Sequence, residues 1–255
     1  MISVISCSID PAKAAFIEGH YHALLGDEPH EFIGVKAPRS LSEGYNSAID
    51  RSRGDILIFS HDDIEFLDPA TWLRRLKTHL QSYDMIGLAG TSKLVSAAWS
   101  MAGPPYTFGQ VCERDGRMAP FSVLLCSVPA PAIGGIQAID GLFIATRRHV
   151  LDRVRFDQET FDGFDVYDID FSFSAYRAGF RVAVAANLPV LHYSQGNFGQ
   201  NWRRYAEKFM RKMQSQLPTF RPRRFLHARV GAQTREEMLE ILNGAQAYWP
   251  PQSSE

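Results

Sequence analysis

Ile56, Leu57, Ile58 and Phe59 form an unbroken apolar run that begins just after Gly54 and stops at Ser60-His61-Asp62-Asp63. A run this short and this uniformly apolar fits a strand covered on both faces, as in the interior of a parallel sheet. It puts an imidazole and two adjacent carboxylates at the carboxyl end of such a strand, where open α/β sheets bind ligands. Neighbouring carboxylates repel each other unless a cation lies close. One reading of His61-Asp62-Asp63 is therefore a divalent metal site. The other is a polar strand-to-helix loop in which an aspartate caps or turns the chain.

The flanking segments extend the pattern. Residues 2–7 alternate and are rich in β-formers, with Ser6, Cys7, Ser8 and Asp10 at the carboxyl end. Pro11 suits a first helical turn, and 12–25 has helical composition. Residues 31–35 read as a second strand. Ser40 and Glu43 stand in a capping-box relation, Leu41, Tyr45, Ala48 and Ile49 recur at helical spacing, and Gly54 is the expected helix stop. The order strand, helix, strand, helix, strand predicts a right-handed, mostly parallel sheet. Pro69 opens a further helix with Trp72, Leu73, Leu76 and Leu80 on its apolar face, and residues 85–89 read as the next strand.

Periodicity lapses over 90–135, which is rich in Gly, Pro and Ser and carries Trp99, Tyr106, Phe108 and Phe121. Such a segment is either a substrate loop or an insertion with a hairpin of its own. A strand follows over 137–146, broken by Asp140-Gly141, and a glycine there marks close approach of a ligand or backbone. Asp168 sits where a helix N-cap belongs, Phe171, Ala175 and Ala178 share one helical face, and 181–185 and 189–192 read as closing strands. Residues 201–230 are strongly basic, with Arg221, Arg223 and Arg224 among several arginines and lysines against the single acid Glu207, a composition suited either to an exposed packed helix or to an anionic membrane surface.

Across 255 residues the formal net charge is −1, which argues against a nucleic-acid partner. Cys7, Cys112 and Cys126 show neither close pairing nor metal spacing, so a reducing, cytoplasmic setting is expected. The first residues lack the basic, then apolar pattern of a signal peptide, and no stretch is apolar enough to span a bilayer.

Three segments in this order, SLSEGYNSAIDRSRGDILIFSHDD, DGLFIATRR and FDGFDVYDIDFSFSAYRAGFRV running on to LHYSQG, resemble the family 2 glycosyltransferases of GT-A fold, closest to their streptomycin-biosynthesis branch. The resemblance implies an α/β domain of GT-A type over 1–200, with a Rossmann-like, mostly parallel central sheet. It leaves 201–255 as a basic helical extension packed on that domain, with a disordered tail after about residue 249. It implies a nucleotide-sugar donor, UDP-linked, a saccharide or lipid-linked acceptor of the kind used in polysaccharide biosynthesis, and Mn²⁺ or Mg²⁺.

Roles follow from matching positions. His61-Asp62-Asp63 stands in place of the DXD motif; with a histidine first, Asp63 is the expected metal ligand, and His61 and Asp62 are expected at the donor. Tyr167-Asp168 matches the acidic pair before a helix, which makes Asp168 the expected catalytic base and Asp170 a supporting carboxylate. His192 matches a further metal ligand, and Asn46 an asparagine facing the donor. Asp140 is expected to hold a sugar. Where relatives meet the nucleotide this chain carries Ser6, Cys7, Ser8, Asp10 and Lys36, and Tyr45 replaces a common arginine.

The chemistry explains the residue types. A nucleoside diphosphate gathers negative charge as it leaves, which a bound divalent ion neutralises. Carboxylates suit such ions, and Mn²⁺ also accepts imidazole. The acceptor hydroxyl is a poor nucleophile and needs a base within reach. A helix N-terminus is expected to keep Asp168 ionised. The expected reaction is a direct displacement with inversion. The plainer readings are helix capping for Asp168 and Asp170, a half-buried strand-end histidine for His192, and a turn for Asp140-Gly141. Two other functions share the sheet plan. A nucleotidyltransferase would carry a glycine-rich phosphate loop, which SCSIDPAKAA lacks; a non-catalytic sugar-nucleotide-binding module would keep the fold without turnover.

Overall fold

The computed structural model describes residues 1–114, 119–194, 196, 198–219 and 228–247. In chain order it contains β1 (Ile2–Ser8), α1 (Pro11–Leu25), β2 (His30–Lys36), α2 (Leu41–Arg51), β3 (Ile56–Ser60), β4 (Ile64–Phe66), α3 (Pro69–Ser82), β5 (Met85–Gly87) and β6 (Ala89–Thr91). A 3₁₀ turn at Trp99–Ala102 precedes β7 (Thr107–Arg114), β8 (Phe121–Leu125), β9 (Ala132–Ile133), β10 (Ala138–Ile139), β11 (Phe143–Arg147), α4 (Arg148–Leu151) and α5 (Tyr167–Arg177). Then come β12 (Val182–Ala185), β13 (Val190–His192), α6 (Gln200–Met213), β14 (Ala228–Ala232) and α7 (Arg235–Ala247).

The main sheet has the order β2-β1-β3-β11-β5-β12-β9. Strands β2, β1 and β3 are mutually parallel, β11 runs against both β3 and β5, and β12 is parallel to β5. The sheet is thus mostly parallel, with β11 and the short edge strand β9 reversed. Right-handed crossovers from β1 to β2 and from β2 past β1 to β3 put α1 and α2 on opposite faces. On one face Tyr21 of α1 meets Trp72 of α3 at 6.1 Å between ring centres; on the other Tyr45 of α2 meets Phe59 of β3 at 5.0 Å and Tyr167 of α5 at 5.8 Å. Leu57, Ile58 and Phe59 are fully buried, as the apolar run requires.

The caps explain the helix starts. Asp10 accepts from the amides of Ala12 and Lys13 ahead of α1, and Ser40 accepts from the Glu43 amide ahead of α2. Glu43 does not complete the capping box, because its carboxylate is taken by Arg39. Gly54 is not the stop of α2, which ends at Arg51. It is a glycine because a Cβ there would lie 2.5 Å from the Ser3 amide nitrogen.

The aperiodic stretch 90–135 gives β9 to the edge of the main sheet, and its β7–β8 hairpin, as the insertion reading expects, lies in a second sheet. Its order is β10-β6-β7-β13-β4, with β8 pairing β7 and β14 pairing β8. The basic C-terminal stretch, expected to be helical, contributes β14 between two helices. Met238 and Leu242 of α7 pack with Cys112, Val123 and Leu191 in a small core of their own. Arg221, Arg223, Arg224 and the tail beyond Trp249 lie outside the described residues. Among the described residues no helix is long and apolar enough to cross a membrane.

Candidate active site

Strand register assembles the site. β1 and β3 run side by side with Ser6 opposite Ser60, so Ser8 arrives beside Asp62 and donates to its Oδ2 at 2.5 Å. His61, Asp62 and Asp63 form the link from β3 to β4. β13 pairs with β4 so that His192 stands opposite Ile64, and the Tyr193 amide donates to the Asp63 carbonyl at 2.9 Å. This brings His192 Nε2 to 3.2 Å from Asp63 Oδ1. His61, Asp63 and His192 each offer one ligand atom, and these atoms lie within 4.8 Å of one another. Two ligands at right angles on one ion about 2.1 Å away would be about 3 Å apart, close to the His192–Asp63 spacing.

The electrostatics suit a cation. Burial opposes ionisation of Asp63, but the His192 hydrogen bond and Lys13, whose Nζ lies 3.1 Å from Oδ2, outweigh it and hold the carboxyl well below its usual range. Burial, and after it the neighbouring His192, push His61 down, which keeps the ring in the neutral form that binds metals.

Across a cavity of about 670 Å³ lined by His61, His192, Asp140, Asp165 and Asp168 lies the second carboxylate group. Val166, a β-branched residue in the left-handed conformation (φ 66°, ψ 0°), turns the chain into α5. The helix therefore starts at Tyr167 and Asp168 lies inside its first turn rather than at the N-cap. Asp168 accepts from the Gly141 amide at 2.7 Å, a close approach that needs glycine, since a Cβ would lie 2.8 Å from Asp168 Cβ. Asp140 accepts from Trp99 Nε1 at 2.8 Å and from the Leu142 amide at 3.0 Å. The helix terminus does not act alone on Asp168: burial, and next the Asp140 carboxylate, push it up to about 7 despite the backbone donors.

The structure gathers His61, Asp63, Asp140, Asp168 and His192 around one site, with Ser8 and Asp62 at its β1 edge. It places others elsewhere. Ser6 is buried in β1 and its hydroxyl has no partner among the described residues. Cys7 packs against Gly44 of α2, and burial, then Asp62, push its thiol up to about 12. Asp10 is spent on capping α1, and Lys36 is exposed at the end of β2 opposite Ser8. Asn46 does not face the cavity: its side chain bonds the Phe156 backbone on both its N–H and its C=O, tying α2 to the loop before α5. Asp170 does not support Asp168. It is buried, and Lys212 of α6 lies 2.7 Å from one of its oxygens.

Sequence reasoning missed Lys13, Asp165, Phe164, Trp202 and the Glu113–Arg229 ion pair, all at or beside the cavity. Lys13 had a signal, since it follows the N-cap Asp10 in the first turn of α1 and so shares its end of the sheet. Glu113 and Arg229 had none, because their meeting depends on the second sheet.

A mostly parallel sheet with an acidic, imidazole-bearing turn after its third strand and a second carboxylate at a helix start defines a GT-A glycosyltransferase. The sequence matches the Glycosyltransferase like family over residues 4–213, and the chain belongs to that family. It is 24% identical over 180 residues to the streptomycin biosynthesis protein StrF of Streptomyces griseus, a match covering 66% of this chain and only 59% of StrF. Its fold is similar to that of the mannosyltransferase PcManGT from Pyrobaculum calidifontis, solved with GDP-Man and Mn²⁺. There the TM-score is 0.51 and the identity 12%, over 97% of this chain and 69% of that one.

Proposed function

We propose that this glycosyltransferase moves a sugar from a nucleoside diphosphate sugar to a hydroxyl of a saccharide or lipid-linked acceptor, with inversion at the anomeric carbon and with a bound divalent ion. The carrying observation is that Asp168 shares one cavity with His61 and His192 of the candidate metal cluster. Asp168 is the base. In its ionised form it takes the acceptor proton on one carboxylate oxygen while the other stays bound to the Gly141 amide. The attacking oxygen then closes on the anomeric carbon from the side opposite the leaving diphosphate, which gives inversion. His61, Asp63 and His192 would hold the ion, whose charge stabilises the departing diphosphate. Asp62 and Ser8 border the donor, and Trp99, fixed by Asp140, offers an aromatic face to a sugar ring.

Two imidazoles and one carboxylate form a softer set than the all-oxygen shell Mg²⁺ takes, so Mn²⁺ is the favoured ion. PcManGT was solved with GDP-Man and Mn²⁺, which supports a nucleotide-sugar donor here. A UDP-sugar is the first donor to try and a GDP-sugar the second. All three cysteines are free, which agrees with a cytoplasmic setting.

A panel of UDP- and GDP-sugars with Mn²⁺, followed by release of the nucleoside diphosphate, tests the reading. Wild type should turn over one donor, and Asp168→Asn should bind that donor without turnover. NMR of the product should show the opposite anomer to the donor. Retention of configuration, or full turnover by Asp168→Asn, would remove Asp168 as the base.

A further inference from the structure

We propose that Tyr167 is a positioning residue of the metal site: its hydroxyl holds His61 with the ring proton on Nε2 and leaves Nδ1 as the nitrogen for the ion. This rests on the metal reading above. His61 Nε2 lies 3.2 Å from the Tyr167 hydroxyl oxygen, and that oxygen lies 3.4 Å from the Gly141 carbonyl oxygen. A carbonyl only accepts, so the single hydroxyl hydrogen goes to Gly141. The oxygen keeps two lone pairs. A lone pair then faces His61 Nε2, which carries the hydrogen.

The reverse arrangement, with the hydroxyl donating to a bare Nε2, puts the imidazole proton on Nδ1 and takes this donor from the buried Gly141 carbonyl. Gly141 permits the contact, since a Cβ at that position would lie 2.5 Å from the Tyr167 hydroxyl. Outer partners of this kind fix the tautomer and direction of metal-binding histidines. Tyr167 thus acts on the metal site through His61.

The test uses the full chain stripped of metal by a chelator. Long-range ¹H–¹⁵N spectra of the histidine rings, with His61 assigned by its loss in His61→Gln, should show the Nε2-protonated tautomer. Mn²⁺ titration followed by EPR should give binding that Asp63→Ala abolishes and Tyr167→Phe weakens about 10–100-fold, with little change in melting temperature. An Nδ1-protonated His61, or a Tyr167→Phe chain that binds Mn²⁺ as tightly as wild type, overturns the assignment of Tyr167 and leaves the metal site standing. Failure of wild type to bind Mn²⁺ removes both. If Tyr167→Phe does not fold, the tautomer measured in wild type decides.

Discussion

Lys13 Nζ lies 3.1 Å from Asp63 Oδ2, on the carboxylate whose other oxygen faces His192. An ammonium ion thus already occupies one side of the group proposed to bind the divalent ion. Lys13 is about half exposed and sits in the first turn of α1, so it is free to move from Asp63 to an incoming diphosphate. Replacing it by methionine should tighten Mn²⁺ binding in the absence of nucleotide by a few-fold, the scale of a part-exposed ion pair of up to about 1 kcal/mol. The same change should weaken binding of the nucleoside diphosphate. Calorimetric titration of each ligand separately checks both directions, and loss of Mn²⁺ binding in Lys13→Met would show that Lys13 does not compete for Asp63.

As the proposed base, the Asp168 carboxyl should give the reaction a pH signature. Burial, then Asp140, push it up to about 7, and the base works only when ionised. The kcat/KM profile should therefore fall on the acid side with an apparent pKa near 7. Asp140→Asn removes the neighbouring charge and should move that limb to lower pH. Stability follows the opposite course. Between 3.8 and about 7 the folded chain holds a proton that the unfolded chain releases. This contribution is full below 3.8 and is lost as pH rises towards 7. Asp168→Asn should flatten that part of the melting-temperature profile, and an unchanged profile would contradict the raised carboxyl.

Asp170 and Lys212 make a contrasting pair. Lys212 touches Asp170 at 2.7 Å and Asp157 at 2.8 Å, tying α6 to α5 and to the loop before it. Asp170 is 1% exposed, so Lys212→Met strands a buried carboxyl. Breaking a buried pair from one side costs about 3–5 kcal/mol, and the lower end applies here because Lys212 is one-third exposed. A drop of several degrees in melting temperature with retained donor affinity at low temperature is the expected result. A normal melting temperature with lost turnover would return Asp170 to the catalytic group.

Much of this was legible in the sequence because it is local. The buried run 56–59, the cap at Ser40, and the acidic turn after β3 each follow from a few neighbouring residues. Gly141 does mark a close approach, but of the Tyr167 and Asp168 side chains rather than of a ligand or backbone. What sequence reasoning misjudged depends on tertiary placement. Asn46 is consumed by Phe156, 110 positions away, and Asp170 by Lys212. The helix position of Asp168 points to an ionised group, yet burial and the neighbouring Asp140 push its pKa up. The second sheet was hidden because its strands come from distant parts of the chain, β4, β6–β8, β10, β13 and β14.

The proposed donor set of two imidazoles and one carboxylate predicts an ion preference. Mn²⁺ should raise the melting temperature at concentrations where Mg²⁺ does not, by about 2.7 kcal/mol of stabilisation at a hundred times its Kd. Asp63→Ala should abolish the rise. Equal stabilisation by Mg²⁺ would contradict a site built on His61 and His192.

Calorimetric titration of UDP, and then of GDP, with and without Mn²⁺, on wild type and Asp63→Ala, tests the central claim most directly. One nucleotide should bind wild type only with Mn²⁺ present, and Asp63→Ala should lose that binding. Absence of binding by either nucleotide, or binding indifferent to Mn²⁺ and to Asp63, would contradict a metal-dependent donor site between β3 and β13.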